Sequence, residues 1–268
     1  MKPLVLLLDI GNTHTHAGLA NGKRVIRQIN LDTAGWFRNS DGENSATEEA
    51  VWRFAGRATL AGAALCSVVP RATEVVRDVM ARRALECVEV SPKTVCGIGF
   101  DYPKPKTIGP DRLANAVAVA YHYGAPSVSV DFGTALTFEV VNGEGNFAGG
   151  IIAPGIAMMT EYLHEKTALL PRIKIRNESG IIGKNTKQAM LIGAVHGYRG
   201  LVRELILELK RELGVRRLPI VATGGYASLV AAKVSEITAI EPLLTLEGVR
   251  LVWEGPHCEH CADCRSSA

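Results

Sequence analysis

Hydrophobic and polar positions along this chain follow two rhythms, one of strands and one of helices. Leu4-Val5-Leu6-Leu7-Leu8 is an unbroken apolar run that ends in Asp9-Ile10-Gly11-Asn12-Thr13, and a second strand-like stretch follows to Asn21-Gly22. The same plan returns at Ser127-Val128-Ser129-Val130, which ends in Asp131-Phe132-Gly133-Thr134 and leads to Asn142-Gly143. Short apolar runs bounded by turn residues predict buried strands. Asn-Gly between such runs predicts a type I′ hairpin, because both central residues need positive φ. Each segment is therefore expected to be a β-meander. The two Asp-x-Gly turns lie 122 residues apart, the spacing that duplication of a strand-rich unit with helices behind it would give. The expected organisation is two similar α/β halves, residues 1–122 and 123–254, followed by a flexible Cys/His-rich tail, 255–268.

The helical rhythm appears between and after these meanders. Ala114, Val117, Ala118 and Tyr121 recur at helical spacing behind Gly109-Pro110-Asp111-Arg112, with Pro near the first turn where its missing N–H is harmless. This predicts a helix with Asp111 in its first turn. From about Thr186 to Leu213 a longer periodic stretch carries Met190, Ala194, Tyr198, Leu201, Leu205, Ile206 and Leu209 on one side and stops at Gly214, a residue suited to the position past a helix end. Its glycines 193, 197 and 200 are expected to admit a closely packed neighbour. Leu218-Pro219-Ile220-Val221-Ala222 then reads as a strand entering Thr223-Gly224-Gly225, with a helix over Ala227 to Val234. The polar cluster from Gly35 to Thr47 predicts a surface loop.

A carboxylate at the end of a buried strand, followed at once by Gly and by Asn or Thr, stands beside a backbone that can approach a phosphate closely. That arrangement suits a nucleoside triphosphate with its cation. Asp9 would hold magnesium through water, since that ion dehydrates reluctantly, while Gly11, Asn12 and Thr13 contact phosphate oxygens. The bland alternative, that Asp-x-Gly merely makes tight turns, weakens when the motif occurs twice in matched context together with Thr223-Gly224-Gly225.

Composition narrows the partners. Hydrophobic residues are 47% and charged residues 21% of 268, which excludes a disordered, collagenous or coiled-coil chain. Thirty Lys and Arg against 27 Asp and Glu leave +3, too slight for a nucleic-acid or membrane surface; a small-molecule partner is expected. Asp9 cuts the first apolar run below the roughly 7–15 residues of a secretory signal, and no stretch reaches the roughly 20 apolar residues of a membrane span. Six cysteines, three of them Cys258, Cys261 and Cys264 near the end, give no chain-wide disulfide framework, so the reducing cytoplasm is the expected compartment. The terminal cysteines with His257 and His260 could share a metal ion or form an oxidation-sensitive tail. His14 and His16 alternate on a strand without a third ligand nearby, which favours polar-face residues over a metal site.

Seven motifs in order carry a resemblance: Asp9-Ile10-Gly11-Asn12-Thr13, Ser67-Val68-Val69-Pro70, Tyr102 with Pro105 ahead of Gly109-Pro110-Asp111-Arg112, Asp131-Phe132-Gly133-Thr134-Ala135, Gly149-Gly150-Ile151-Ile152-Ala153-Pro154-Gly155, Gly183-Lys184-Asn185-Thr186 and Thr223-Gly224-Gly225. Together, over about Leu4 to Trp253, they resemble the type III pantothenate kinases. The resemblance implies an α/β, duplicated ribonuclease H-like fold shared with acetate and sugar kinases and actin, its two similar domains facing a cleft. It also implies ATP-dependent phosphorylation of pantothenate, the first step of coenzyme A synthesis, with Mg2+, a monovalent cation (K+ or NH4+) and a homodimer. By position, Asp9, Ile10, Gly11, Asn12, Thr13, His14, Thr15 and His16 resemble the ATP phosphate site, with Thr134 a further ATP contact. Asp111 resembles the proton acceptor for the substrate hydroxyl. Tyr102, Gly109, Pro110, Arg112 and Thr186 resemble pantothenate contacts, and Asp131 the monovalent-cation ligand. Leu136, Glu139 and Pro110 depart from the residues usual in the family.

On local grounds alone, Asp111 could simply stabilise a helix N-terminus, Arg112 could be a surface charge, and Thr186 could be a helix N-cap. Two other functions stand beside the kinase. A regulatory accessory protein of the same fold could dispense with the set Asp9, Asp111 and Asp131, which this chain keeps, and an actin-like or heat-shock-like ATPase would need inserted subdomains for which 268 residues leave little room.

Overall fold

The structure, a computed structural model, describes residues 3–37 and 45–257. The chain forms two compact units: one runs to His122 and takes the chain back from Leu243 onward, and the other spans Tyr123–Pro242. Among the described residues no helix is long and apolar enough to cross a membrane.

The first unit opens with a meander of β1 (Leu4–Ile10), β2 (His14–Ala20) and β3 (Val25–Asp32), followed by α1 (Ala46–Ala55), β4 (Leu60–Ser67), α2 (Pro70–Arg82), β5 (Cys87–Glu89), the short β6 (Gly99–Phe100) and α3 (Pro110–Tyr123). Its five-stranded sheet has the order β3-β2-β1-β4-β5. The meander is antiparallel, whereas β4 lies parallel to β1, and β5 to β4. The apolar run of β1 has Leu6, Leu7 and Leu8 fully buried, as expected of a central strand covered on both faces.

The second unit repeats this order: β7 (Ser127–Phe132), β8 (Ala135–Val141), β9 (Asn146–Pro154), α4 (Ile156–Lys166), α5 (Thr186–Glu212), β10 (Ile220–Thr223), α6 (Ala227–Val230) and β11 (Ala239–Ile240). β7 pairs antiparallel with β8 and parallel with β10, β8 antiparallel with β9, and β10 parallel with β11. The two units thus share one strand order, the duplicated ribonuclease H-like plan. A core of Val128, Val130, Phe138, Val202, Ile206 and Ile220 fastens α5 to the second sheet.

Several local expectations change. Neither Asn-Gly is a type I′ turn, since Asn21, Gly22, Asn142 and Gly143 are absent from the positive-φ residues. Asn21 instead accepts the N–H groups of Lys23 and Arg24 on its side chain, at 2.9 and 3.0 Å, an Asx turn that supports a longer loop. Asn142 does the same for Glu144 and Asn146, and Gly145, at φ 79°, supplies the left-handed residue. Tyr121 is 68% exposed and meets His122 edge-on instead of joining the core. Gly35 to Thr47 is only in part a loop. Thr33–Trp36 forms a 3₁₀ turn, Ser45 caps α1, and Trp36 and Thr47 are buried. The helix expected to Val234 stops at Val230 and continues as a 3₁₀ turn, Ala231–Lys233.

The largest revision concerns the end of the chain. Residues 243–254 were assigned to the second half by sequence, yet α7 (Leu244–His257) belongs with the first unit. Its glycine and polar residues explain why. Arg250, buried, donates to Glu247 at 2.6 Å, and Glu247 accepts the Val25 N–H at 2.7 Å. Thr245 donates to Asn115 at 2.8 Å. A Cβ on Gly248 would sit 2.0 Å from the Ala114 carbonyl oxygen of α3, and one on Gly62 would sit 2.3 Å from the Trp253 ring. Gly248→Leu, by forcing α7 off α3, should cost about 1–3 kcal/mol of stability, the usual range for overpacking, read as a lower urea midpoint at unchanged slope. An unchanged midpoint would show that the two helices are free to separate.

Candidate active site

In the first unit the sequence-predicted residues gather where β1 ends and α3 begins. Asp9 lies at the end of β1 beside Cys66 of β4, its register partner. The turn after it is closed by the Gly11 N–H on the His14 carbonyl at 2.9 Å and braced by the Thr33 hydroxyl on the Gly11 carbonyl at 2.8 Å. Asn12, Thr13 and His14 are exposed on this turn, free to meet a ligand. Ile10 and Thr15 have side chains turned into the interior. The Thr15 hydroxyl is bonded to Thr33 at 3.0 Å and accepts from the Trp36 indole at 3.0 Å, so only their backbone faces the turn. His16 is engaged with Asn30 at 2.7 Å. Among the described residues no three His, Cys, Asp or Glu side chains form a metal-binding group.

α3 starts at Pro110, which places Asp111 in its first turn. One Asp111 carboxylate oxygen accepts the Arg112 N–H at 2.8 Å, and a Cβ on Gly109 would meet that side chain at 2.5 Å. Glycine is thus required at 109 for the carboxylate to fold back over its own helix start. Tyr102 and Arg112 are half-buried nearby in sequence and both have partners.

Electrostatics tie these two acids together. Burial, reinforced by repulsion from Asp111, pushes Asp9 up from 3.8 to about 7, against the lowering effect of a bond from Cys66. Asp111 is also raised by burial, opposed by its bonds and by the Arg112 charge. Two carboxyl groups that each resist ionisation, set close enough to repel, form a site that a cation would stabilise.

The second unit builds a matching site around Asp131 at the end of β7. Asp131 lies beside Thr223 of β10, whose strand runs into Gly224 at φ 90°. A Cβ there would fall 2.3 Å from an Asp131 carboxylate oxygen. Gly155 is equally constrained, since a Cβ would meet the carbonyl oxygens of Thr134 and Gly133 at 2.2 and 2.7 Å. Backbone therefore packs against Asp131 at Gly224 and against Gly133-Thr134 at Gly155, where neither glycine has room for a side chain. Thr134 is exposed at the rim. Tyr198, read from sequence only as a helix-face residue, is buried; its hydroxyl donates to the Pro154 carbonyl at 3.3 Å. Burial, with a smaller contribution from Asp131, pushes this phenol up to about 12. A tyrosine among leucines at core spacing is the signal that could have singled it out, because a buried phenol needs a polar partner.

Thr186 is the first residue of α5 but does not cap it. Asn185 is the cap and accepts the Gln188 N–H at 3.0 Å, while the Gln188 side chain accepts the N–H of the preceding Lys184 at 2.9 Å, which leaves the Thr186 hydroxyl exposed. The cysteines from Cys258 onward lie outside the described residues. Cys66, Cys87 and Cys96 form no disulfide.

Comparison with known proteins bears on both units. The sequence model described as type III pantothenate kinase matches residues 5–208. A type III pantothenate kinase of Akkermansia muciniphila is 49% identical over 246 residues, 92% of this chain and 96% of that protein. One from Methylacidiphilum infernorum is 42% identical over 251 residues, 93% and 88% of the two chains. Among solved structures, a protein described as a Baf family transcriptional activator from Campylobacter jejuni has a TM-score of 0.59 at 17% identity, over 94% of this chain and 99% of that one. MreB 5 of Spiroplasma citri bound to AMPPNP has a TM-score of 0.53 at 13% identity, over 96% and 98%. At such identities the two structural likenesses speak to the fold alone.

The raised Asp9 carries a sign for stability. Between 3.8 and about 7 the folded protein keeps a proton on Asp9 that the unfolded chain releases, so this group withdraws stability as pH rises through that window and has no effect below it. Asp9→Asn, in protein free of nucleotide and metal, should therefore gain stability over wild type progressively from about pH 4 to about pH 7 and level off above. Urea midpoints across that range provide the check; parallel curves for the two proteins would show that Asp9 ionises without penalty.

Proposed function

The chain belongs to the type III pantothenate kinase family and is an ATP-dependent kinase of pantothenate that acts at the entry to coenzyme A synthesis; we propose that Asp111 is the proton acceptor and Asp9 the carboxylate that holds the nucleotide's divalent metal. The observation that carries this reading is the approach of the two acids, Asp9 from the end of β1 and Asp111 from the start of α3, each raised in pKa by burial.

In the proposed reaction the pantothenate hydroxyl oxygen attacks the γ-phosphorus of ATP. The new O–P bond forms as the bond to the ADP oxygen breaks, and the hydroxyl proton passes to Asp111. Transfer runs through a loose transition state, so positioning and charge neutralisation dominate and the proton need leave only late. An upward-shifted Asp111 is the better acceptor for that step. Arg112 presents a planar fork of donors suited to a carboxylate, and with Tyr102, Gly109, Pro110 and the exposed Thr186 hydroxyl it is proposed to hold pantothenate. The turn from Asp9 to His16 and the exposed Thr134 are proposed to hold the phosphates.

Magnesium fits the donor set at Asp9, an oxygen ligand in a site whose acids repel one another; it would neutralise the triphosphate and be held through water. The Asp131 surroundings suit a monovalent cation. A strand-end carboxylate stands there against Gly224 and close to Gly133, and no Lys or Arg occurs from Ser127 to Asn142. Such an ion would supply a counter-charge to the phosphates. We also propose a homodimer, supported by the exposed apolar side chains Met158, Met159, Tyr162 and Leu163 on α4. Cysteines that form no disulfide among the described residues support the cytoplasm as the compartment.

Two measurements test the chemistry. Asp111→Asn should lower turnover by about 10²–10⁴, the usual worth of a positioned acid or base, with ATP binding nearly unchanged; turnover near that of wild type would remove Asp111 from the proton path. The wild-type rate should rise with potassium or ammonium over Tris at matched ionic strength, and Asp131→Ala should stay folded but lose the response. Equal rates in all three buffers would exclude the monovalent cation while leaving the kinase assignment standing.

A further inference from the structure

α5 has one flank that the kinase reading does not use. A Cβ added at Gly193, Gly197 or Gly200 would meet nothing within 4 Å, so the closely packed neighbour expected of these glycines is absent among the described residues. Beside Gly200 lies an open cavity of about 610 Å³, lined also by Asn177, Glu178, His196, Arg199, Arg203 and Lys233. None of these is among the residues proposed to hold ATP, pantothenate or a cation.

The charges around this cavity do not balance. Arg199 donates through one terminal nitrogen to the Asn177 side chain and to the Leu229 carbonyl, each at 2.7 Å. Both acceptors are neutral, and its buried Nε has no partner at all. Burial also lowers the Arg199 pKa, the direction expected of a cation lacking a counter-charge. Arg203 is matched by Glu236 at 3.3 Å, and Glu178 by Arg176 at 3.6 Å. The Lys233 ammonium has no carboxylate partner among the described residues. A guanidinium and an ammonium are therefore left uncompensated at the wall of a cavity large enough for a small metabolite.

We propose that this cavity is a binding site for a phosphorylated small molecule, seated on the open glycine flank of α5 with its phosphate between Arg199 and Lys233. A planar guanidinium and a mobile ammonium are the pair that phosphate oxygens suit. Glycine at 200 lets such a ligand approach the helix backbone where any side chain would fill the space. Bound there, the anion ties α5 to the segment at residues 177–178 and to the turn carrying Lys233, so it stabilises the folded protein by mass action.

The test uses the full chain saturated with a non-hydrolysable ATP analogue and pantothenate, so that the kinase site is filled, and titrates inorganic phosphate. Thermal midpoint and calorimetric heat are read for wild type, Lys233→Glu and Lys233→Ala. Wild type should show saturable binding and a rising midpoint. Lys233→Glu should weaken binding by about tenfold or more, as loss and reversal of a charge-assisted contact requires, and Lys233→Ala by less. Both variants should keep the wild-type kinase rate at saturating substrates, since Lys233 takes no part in the reaction. Titrations of wild type and Lys233→Glu that superimpose, or no saturable binding to wild type, would overturn the proposal without touching the kinase assignment.

Discussion

Burial of Asp9 and Asp111, sharpened at Asp9 by the like charge of Asp111, is the constraint on which the first unit's candidate site depends. A carboxyl group held partly out of water loses hydration when it ionises, and a second acid close by adds to that cost. The fold could relieve both by turning either side chain outward. It does the reverse: Gly109 makes room for Asp111 to lie back over the start of α3, the Arg112 N–H fixes it there, and Cys66 bonds Asp9 from the neighbouring strand. On the reading proposed above, a divalent cation at Asp9 would relieve that cost.

The second unit meets the same geometric problem with a different balance. Asp131 also ends a central strand, and Gly224 lies against its carboxylate with no room for a side chain. The duplicated fold thus supplies one strand-end carboxylate twice, and on the reading proposed above each copy serves a different ion. The ends of the third strands are held alike in the two units: the Tyr198 hydroxyl donates to the Pro154 carbonyl, and the Thr47 hydroxyl to the Asp32 carbonyl at 2.7 Å.

Much of this was legible in the chain because the informative features are local. An apolar run ending in Asp-x-Gly fixes both where the strand stops and which group stands at its end, and the repeat of that pattern foretold the duplication. The start of α3 at Pro110 and the span of α5 followed from caps and periodicity. What could not be read depends on contacts distant in sequence. The Asn-Gly pairs form longer loops because side-chain bonds from Asn21 and Asn142 compete with the type I′ geometry that the dipeptide alone favours. Tyr121 fits the helical spacing of α3, yet that spacing cannot tell which residues near the last turn are covered. The return of α7 to the first unit rests on pairs such as Thr245 with Asn115 and Glu247 with Val25, separated by 130 and 222 positions. No window of sequence contains both partners.

The likeness to a protein described as a transcriptional activator and to MreB 5 shows how little the fold by itself decides. One fold can serve a protein that only binds a nucleotide and one that moves a phosphoryl group. What separates those uses is a group placed to take a proton from an acceptor substrate. In this chain the group we propose for that role is Asp111, and it is held at a cost: its carboxyl is raised in pKa by burial and folds back against Gly109, with the like charge of Asp9 close by. A protein with no use for a proton acceptor there could carry a neutral residue at 111 and avoid burying a second carboxyl beside Asp9. Keeping both acids has a cost, which is why the pair, more than the fold, argues for catalysis.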